Sequence, residues 1–136
     1  MNDEIKLPRF ELGNPGFERD ALLDVALSGR KTATSSLLRE WQEEDTLLPE
    51  PGDLQIMINS AGDEVARVII TKVEVRKLGE VDDAIANAEG EGFKNTSQWR
   101  KAHEQIWLGD IYNPAVKGWQ LPDNTKIVIE YFKLAE

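Results

Sequence analysis

The feature that most constrains this chain is a helical pattern that stops at a glycine and gives way at once to an extended one. Phe17, Ala21, Leu22, Val25 and Ala26 recur at helical spacing. Gly29 supplies the C-terminal stop. Small and β-branched residues follow from Lys31 to Leu37, with threonines close to a single lysine in Arg30-Lys31-Thr32-Ala33-Thr34. The spacing predicts a helix over 15–28 and a strand over 31–37. Their tight junction suits a place where a substrate can approach the backbone.

The rest of the chain supplies more strands than helices. A helical turn is expected at 37–41, with Trp41 packing inward. The acidic run at 43–45 and the prolines at 49 and 51 read as a loop. Leu54, Ile56 and Ile58 alternate with Gln55, Met57 and Asn59, as in a half-buried strand with the aliphatic residues inside. Ser60-Ala61-Gly62-Asp63 is a turn. The strand expected over 64–78 is too long to stay flat and should bend near Thr71-Lys72. Helices follow at 81–89, capped by Asp82, and from Thr96 or Ser97 to 108, with Gly90-Glu91-Gly92 between them. Residues 126–132 form the last strand, apolar on both faces and therefore central. The strands read as sequential and mostly antiparallel. Together these elements predict one α+β domain over 1–136, a curved sheet or β-barrel with surrounding helices.

Composition narrows the function classes. The chain has 136 residues, enough for one core that buries roughly two-thirds of the unfolded surface. No apolar run approaches the length of a membrane span, and the acidic start lacks the plan of a signal peptide. No membrane contact and a cytoplasmic location are the expectations. Without cysteine there is neither a disulfide nor a thiolate metal site, and one histidine rules out sites built on two imidazoles. No cofactor or metal is expected. A net charge of −9 disfavours long polyanions and suits a small substrate such as a nucleoside.

Three constellations could carry chemistry. Lys31, if desolvated, could act as a base toward the Thr34 hydroxyl. Positions 31 and 34 of an extended segment lie on opposite faces, so this pairing needs a bulge or turn, which Ala33 would permit. The ordinary alternative is a surface lysine beside a strand threonine. Glu89-Gly90-Glu91-Gly92 places two carboxylates on a backbone that must turn sharply, which can aim one of them into a pocket as a general acid or base. The alternative is a solvated helix end. Trp99 and His103, at i and i+4, share a helix face and could wall a cleft, with core packing as the alternative. Arg39, Trp41, Trp107, Tyr112 and Trp119 are further candidates for contact with a base.

These motifs resemble the ASCH domain superfamily. Gly29-Arg30-Lys31-Thr32-Ala33-Thr34 is similar to its G-x-K-x-x-T element after the first helix. Pro51-Gly52-Asp53 is similar to its G-D step into a strand. Glu89-Gly90-Glu91-Gly92, Ser97 and Trp99-Arg100-x-x-His103 resemble the longer YhfF-like group. The resemblance spans about residues 15–133. It implies a PUA-like antiparallel β-barrel with a cleft for RNA or a nucleobase.

The family is linked to RNA binding and cleavage, and a small bacterial member hydrolyses the amide of N4-acetylcytidine through a lysine, a threonine and a glutamate. By motif those roles would fall on Lys31, Thr34 and Glu91, with Glu89 in place of Glu91 if the loop register differs. Arg30, Ser36, Arg39, Glu89, Trp99 and His103 are the expected substrate-binding residues. The small amidohydrolases carry an arginine where this chain has Ser36, and Arg39 lies one turn further on. The expected function is a metal-independent amidohydrolase on an N4-acylcytidine-type nucleoside. The alternative is an RNA-binding module with or without ribonuclease activity, whose partner would be a short RNA.

Overall fold

The structure, a computed structural model, describes residues 7–108 and 121–135. Its elements in chain order are β1 (Arg9–Phe10), α1 (Phe17–Leu27), β2 (Ala33–Leu37), α2 (Leu38–Glu43), β3 (Leu54–Ile58), β4 (Glu64–Lys77), a 3-10 turn (Leu78–Glu80), α3 (Asp83–Ala88), α4 (Thr96–Trp107) and β5 (Lys126–Leu134). The local signals are visible in the caps. Gly29, at φ 85°, follows the end of α1. The Asp82 carboxylate accepts the Ile85 N–H at the start of α3, and Asn95 does the same for Gln98 at the start of α4.

The five strands form one sheet in the order β1-β3-β4-β5-β2. The expected barrel is corrected to an open sheet. β1 and β2 are the two edges, and β1, at two residues, is too short to close the gap. The sheet is also mixed: β1 runs parallel to β3 while every other pairing is antiparallel. Nor is the order sequential, because β2 lies against β5 rather than β3.

Each face of the sheet carries a core. On one, α1 contributes Leu23 and Ala26 to a cluster with Phe10, Leu12, Met57, Val68, Ile70 and Phe132. On the other, Leu78, Ile85, Ala86 and Trp99 pack on Ala33, Leu37, Ile127 and Ile129. β4 bends where expected, with a register shift between Ile70 and Lys72 opposite β5. The extra residue keeps Val73 on the same face as Val68 and Ile70, and so preserves the apolar side across the bend.

β3 departs from its alternation. Gln55 and Met57 are buried and Leu54 and Ile56 half-buried, whereas Ile58, past the register shift after Met57, is buried as expected. The strand lies between β1 and β4, and Met57 joins the α1 cluster, so packing on that face overrides the aliphatic pattern.

Candidate active site

The turn after α1 sets Lys31 in place. Its N–H donates to Val25 O at 3.0 Å, and the Thr32 N–H donates to Ala88 O at 2.7 Å. The α3–α4 loop therefore lies directly against residues 30–32. Gly90 makes this contact possible: at φ 67°, a Cβ there would sit 2.4 Å from Arg30 O. The loop's two glutamates consequently flank the lysine. Nζ of Lys31, whose side chain is 1% exposed, lies 3.0 Å from Glu91 Oε2 and 3.6 Å from Glu89 Oε1. It also donates to Glu89 O at 3.3 Å.

Glu89 is the hub of a buried polar network. Its Oε2 accepts from Ser35 Oγ at 2.9 Å and from Trp99 Nε1 at 2.5 Å. Its Oε1 meets His103 Nε2 at 3.0 Å, and His103 Nδ1 donates to Trp99 O at 2.7 Å. Both imidazole nitrogens thus face acceptors, the arrangement that suits the protonated ring. Trp99 stacks on His103 at 4.2 Å between ring centroids, and Trp107 covers that pair.

The two glutamates titrate in opposite directions. Burial alone would push the Glu89 carboxyl up, but His103, Lys31 and Trp99 together outweigh it and hold it down to about 2. Burial would lower the His103 value, and the hydrogen bond and charge of Glu89 instead raise it. The Glu91 carboxyl is pushed up, first by burial and also by the negative charge of Glu89, against the pull of Lys31. Its side chain is 25% exposed. Glu91 has one donor where Glu89 has several, which explains the split.

Glu89, Glu91 and His103 offer ligand atoms within 4.8 Å of one another, a spacing a cation could use. The Lys31 ammonium already stands against both carboxylates, and both ring nitrogens are engaged. The donor set is built around a lysine rather than a metal ion.

The structure brings together Lys31, Glu89, Glu91, Trp99 and His103. Thr34 and Ser36 point the other way. β2 pairs with β5 in unbroken register from Ala33 to Leu37, so no bulge turns Thr34 toward the lysine. Ser36 accepts from Trp41 Nε1 at 2.8 Å on that opposite face. Arg39 is exposed and pairs with Glu43 in α2. Arg30 is exposed and lines a 330 Å³ cavity together with Ala86, Asn87, Gly90, Gly92 and Phe93. Tyr112 and Trp119 lie outside the described residues.

Two residues escaped sequence reasoning. Ser35 shares the face of Lys31 and Ala33, which simple alternation could have shown. Glu130 sits within the apolar run 126–132, and that misplaced charge was its signal. It is 7% exposed, directly opposite Thr34 on one side and Val73 on the other. Among the described residues it has no hydrogen-bond or ion-pair partner, and burial pushes its carboxyl up to about 7.

An open α+β sheet with a buried lysine, in the turn leading into its edge strand, set against a paired-glutamate loop defines the class. Residues 10–136 match the family model for the ASCH domain. The chain belongs to the ASCH domain family. Solved structures agree on the fold. An ASCH domain from Lactobacillus crispatus is 25% identical, with a TM-score of 0.78, over 95% of this chain and 79% of that one. Protein EF3133 from Enterococcus faecalis, described under DUF984, is 24% identical, with a TM-score of 0.77, over 96% of this chain and 76% of that one. The hypothetical protein PH0355 is 14% identical over 82% of this chain and 89% of that one, with a TM-score of 0.51. The fold is PUA-like with the sheet left open. No curated protein matches the sequence. Among the described residues no helix is long and apolar enough to cross a membrane.

Proposed function

We propose that this protein is a metal-independent hydrolase that cleaves the exocyclic amide of an acylated nucleoside of the N4-acylcytidine type. The observation that carries the reading is the Lys31–Glu91 pair: a buried ammonium 3.0 Å from a partly exposed carboxyl, in a loop whose flanking glycines line a cavity. A carboxyl raised toward neutrality by burial suits proton transfer in both directions. In this scheme Glu91 takes a proton from a water that attacks the acyl carbon, forming the new C–O bond. Lys31, buried with its Nζ 3.0 Å from Glu91, holds that carboxyl in place and offsets its charge. Glu91 then returns the proton to the exocyclic amine as the C–N bond breaks, giving the free acid and the nucleoside. Water replaces the Thr34 hydroxyl as nucleophile because Thr34 faces away from the pair and Ser35 is bonded to Glu89.

Purified protein incubated with N4-acetylcytidine should release acetate and cytidine, read by mass spectrometry, and Glu91→Gln should lose that activity. No turnover of any acylated nucleoside, with cleavage of short RNA instead, would sink the reading.

The RNA alternative draws on the same face of the sheet. Lys72 stands 5.5 Å from the Tyr131 ring, and Lys133 lies two residues further along β5. Lys72 and Arg76 are both paired to Glu74, however, which leaves little free positive charge there for phosphates.

A further inference from the structure

Arg30 stands apart from most arginines of this acidic chain. Arg19, Arg39, Arg67, Arg76 and Arg100 each pair with a carboxylate. Among the described residues Arg30 has no carboxylate partner. Its Nε donates to Ser28 Oγ at 3.2 Å, which fixes the root of the guanidinium; among the described residues its terminal nitrogens have no acceptor. It also lines the 330 Å³ cavity, and among the described residues it is the one cation there. The cavity is at the small end of ligand pockets, which run to about 300–1,000 Å³.

The backbone explains why a cation at this position faces the cavity. Lys31 turns its amine inward to the glutamates, while Gly90 rests on the carbonyl of Arg30. Arg30 is thereby left on the open side of the same contact. The remaining wall adds the half-buried Phe93 ring, the exposed Asn87 amide, and Gly90 and Gly92, the glycines on either side of Glu91 in sequence. A planar base can stack on such a ring, an amide can read its polar edge, and a free guanidinium binds phosphate in bidentate fashion.

We infer that Arg30 is a specificity-determining residue that binds a phosphate on the substrate, so that the preferred ligand is an acylated nucleotide rather than the bare nucleoside. This rests on the hydrolase reading for the acyl group alone; the phosphate site stands on the cavity and on Arg30.

Isothermal titration at low salt, with wild type and Arg30→Met, tests it using N4-acetylcytidine, its 5′-monophosphate, and ribose 5-phosphate. The monophosphate should bind wild type at least about tenfold tighter than the nucleoside. Arg30→Met should erase that difference, and ribose 5-phosphate should bind only wild type. Equal affinity of nucleoside and monophosphate for wild type would overturn the inference and leave the hydrolase reading standing. Arg30-dependent binding of ribose 5-phosphate, with neither acetylated compound hydrolysed, would overturn the hydrolase reading and support the phosphate site.

Discussion

Lys31 is a structural cation as much as a chemical one. It is 2% exposed and faces two carboxylates, so Lys31→Ala leaves buried negative charge uncompensated. Breaking a buried pair in this way costs about 3–5 kcal/mol. Urea melts of Lys31→Ala should show a loss of that order in addition to lost turnover. A variant as stable as wild type would mean that the pair is not buried in solution. Glu91→Gln is the cleaner probe of chemistry, because Glu91 is the more exposed partner and tolerates an amide. It should lower turnover by about 10²–10⁴-fold with little change in melting temperature. Thr34→Ala, on the far face of β2, should retain most activity, and a near-total loss would restore its hydroxyl as the nucleophile. Sequence placed the lysine and both glutamates together through the family pattern. Whether a bulge turns Thr34 toward the lysine was not legible there; the unbroken β2 register leaves Ser35, not Thr34, on that face.

The α3–α4 loop is the element on which the site depends. Its helix ends are set locally, by Asp82 and Asn95 at the two N-caps. Its position is set by contact with residues 30–32 through Gly90. Gly90→Ala should therefore be far more damaging than an ordinary loop substitution. The left-handed backbone alone costs about 1–2 kcal/mol for a residue with a Cβ. The 2.4 Å approach to Arg30 O then forces the loop off the lysine. Activity should fall together with stability, as read by a turnover assay and a denaturant melt. Gly92, with nothing near its missing Cβ, should show only the backbone strain.

At the scale of the whole molecule, buried acids and the single histidine should make stability fall as pH rises from about 5 to 8. Glu91 and Glu130 have raised pKa values, so the native state holds protons that the unfolded chain gives up above about 4.5. His103 is raised as well; its contribution is complete below about 6.5 and is lost as pH climbs through its folded value. All three act in one direction. The lowered Glu89 opposes them only in acid, where its contribution is lost as pH drops from about 4.5 toward 2. Denaturant melts across this range should show the decline, and a rise in stability from pH 5 to 8 would contradict it. Glu130→Gln should remove about 3 kcal/mol of the penalty at pH 8 and little at pH 5, since burial alone moves that carboxyl from 4.5 to about 7.

Local chemistry was legible in the residues themselves. The glycine stop after α1, the Asp82 cap, the bend near Thr71 and the shared face of Trp99 and His103 all follow from interactions within a few positions of one another. Strand order was not. That β2 crosses to pair with β5, that β1 runs parallel to β3, and that the sheet stays open depend on which distant segments bury most apolar surface together. The same holds for the buried side of β3, where tertiary packing favoured Met57 over the aliphatic stripe. The meaning of the charges was likewise tertiary. A lysine, two glutamates and a histidine are ordinary surface residues until folding removes their water, and only then do the neighbours decide which of them keeps its proton.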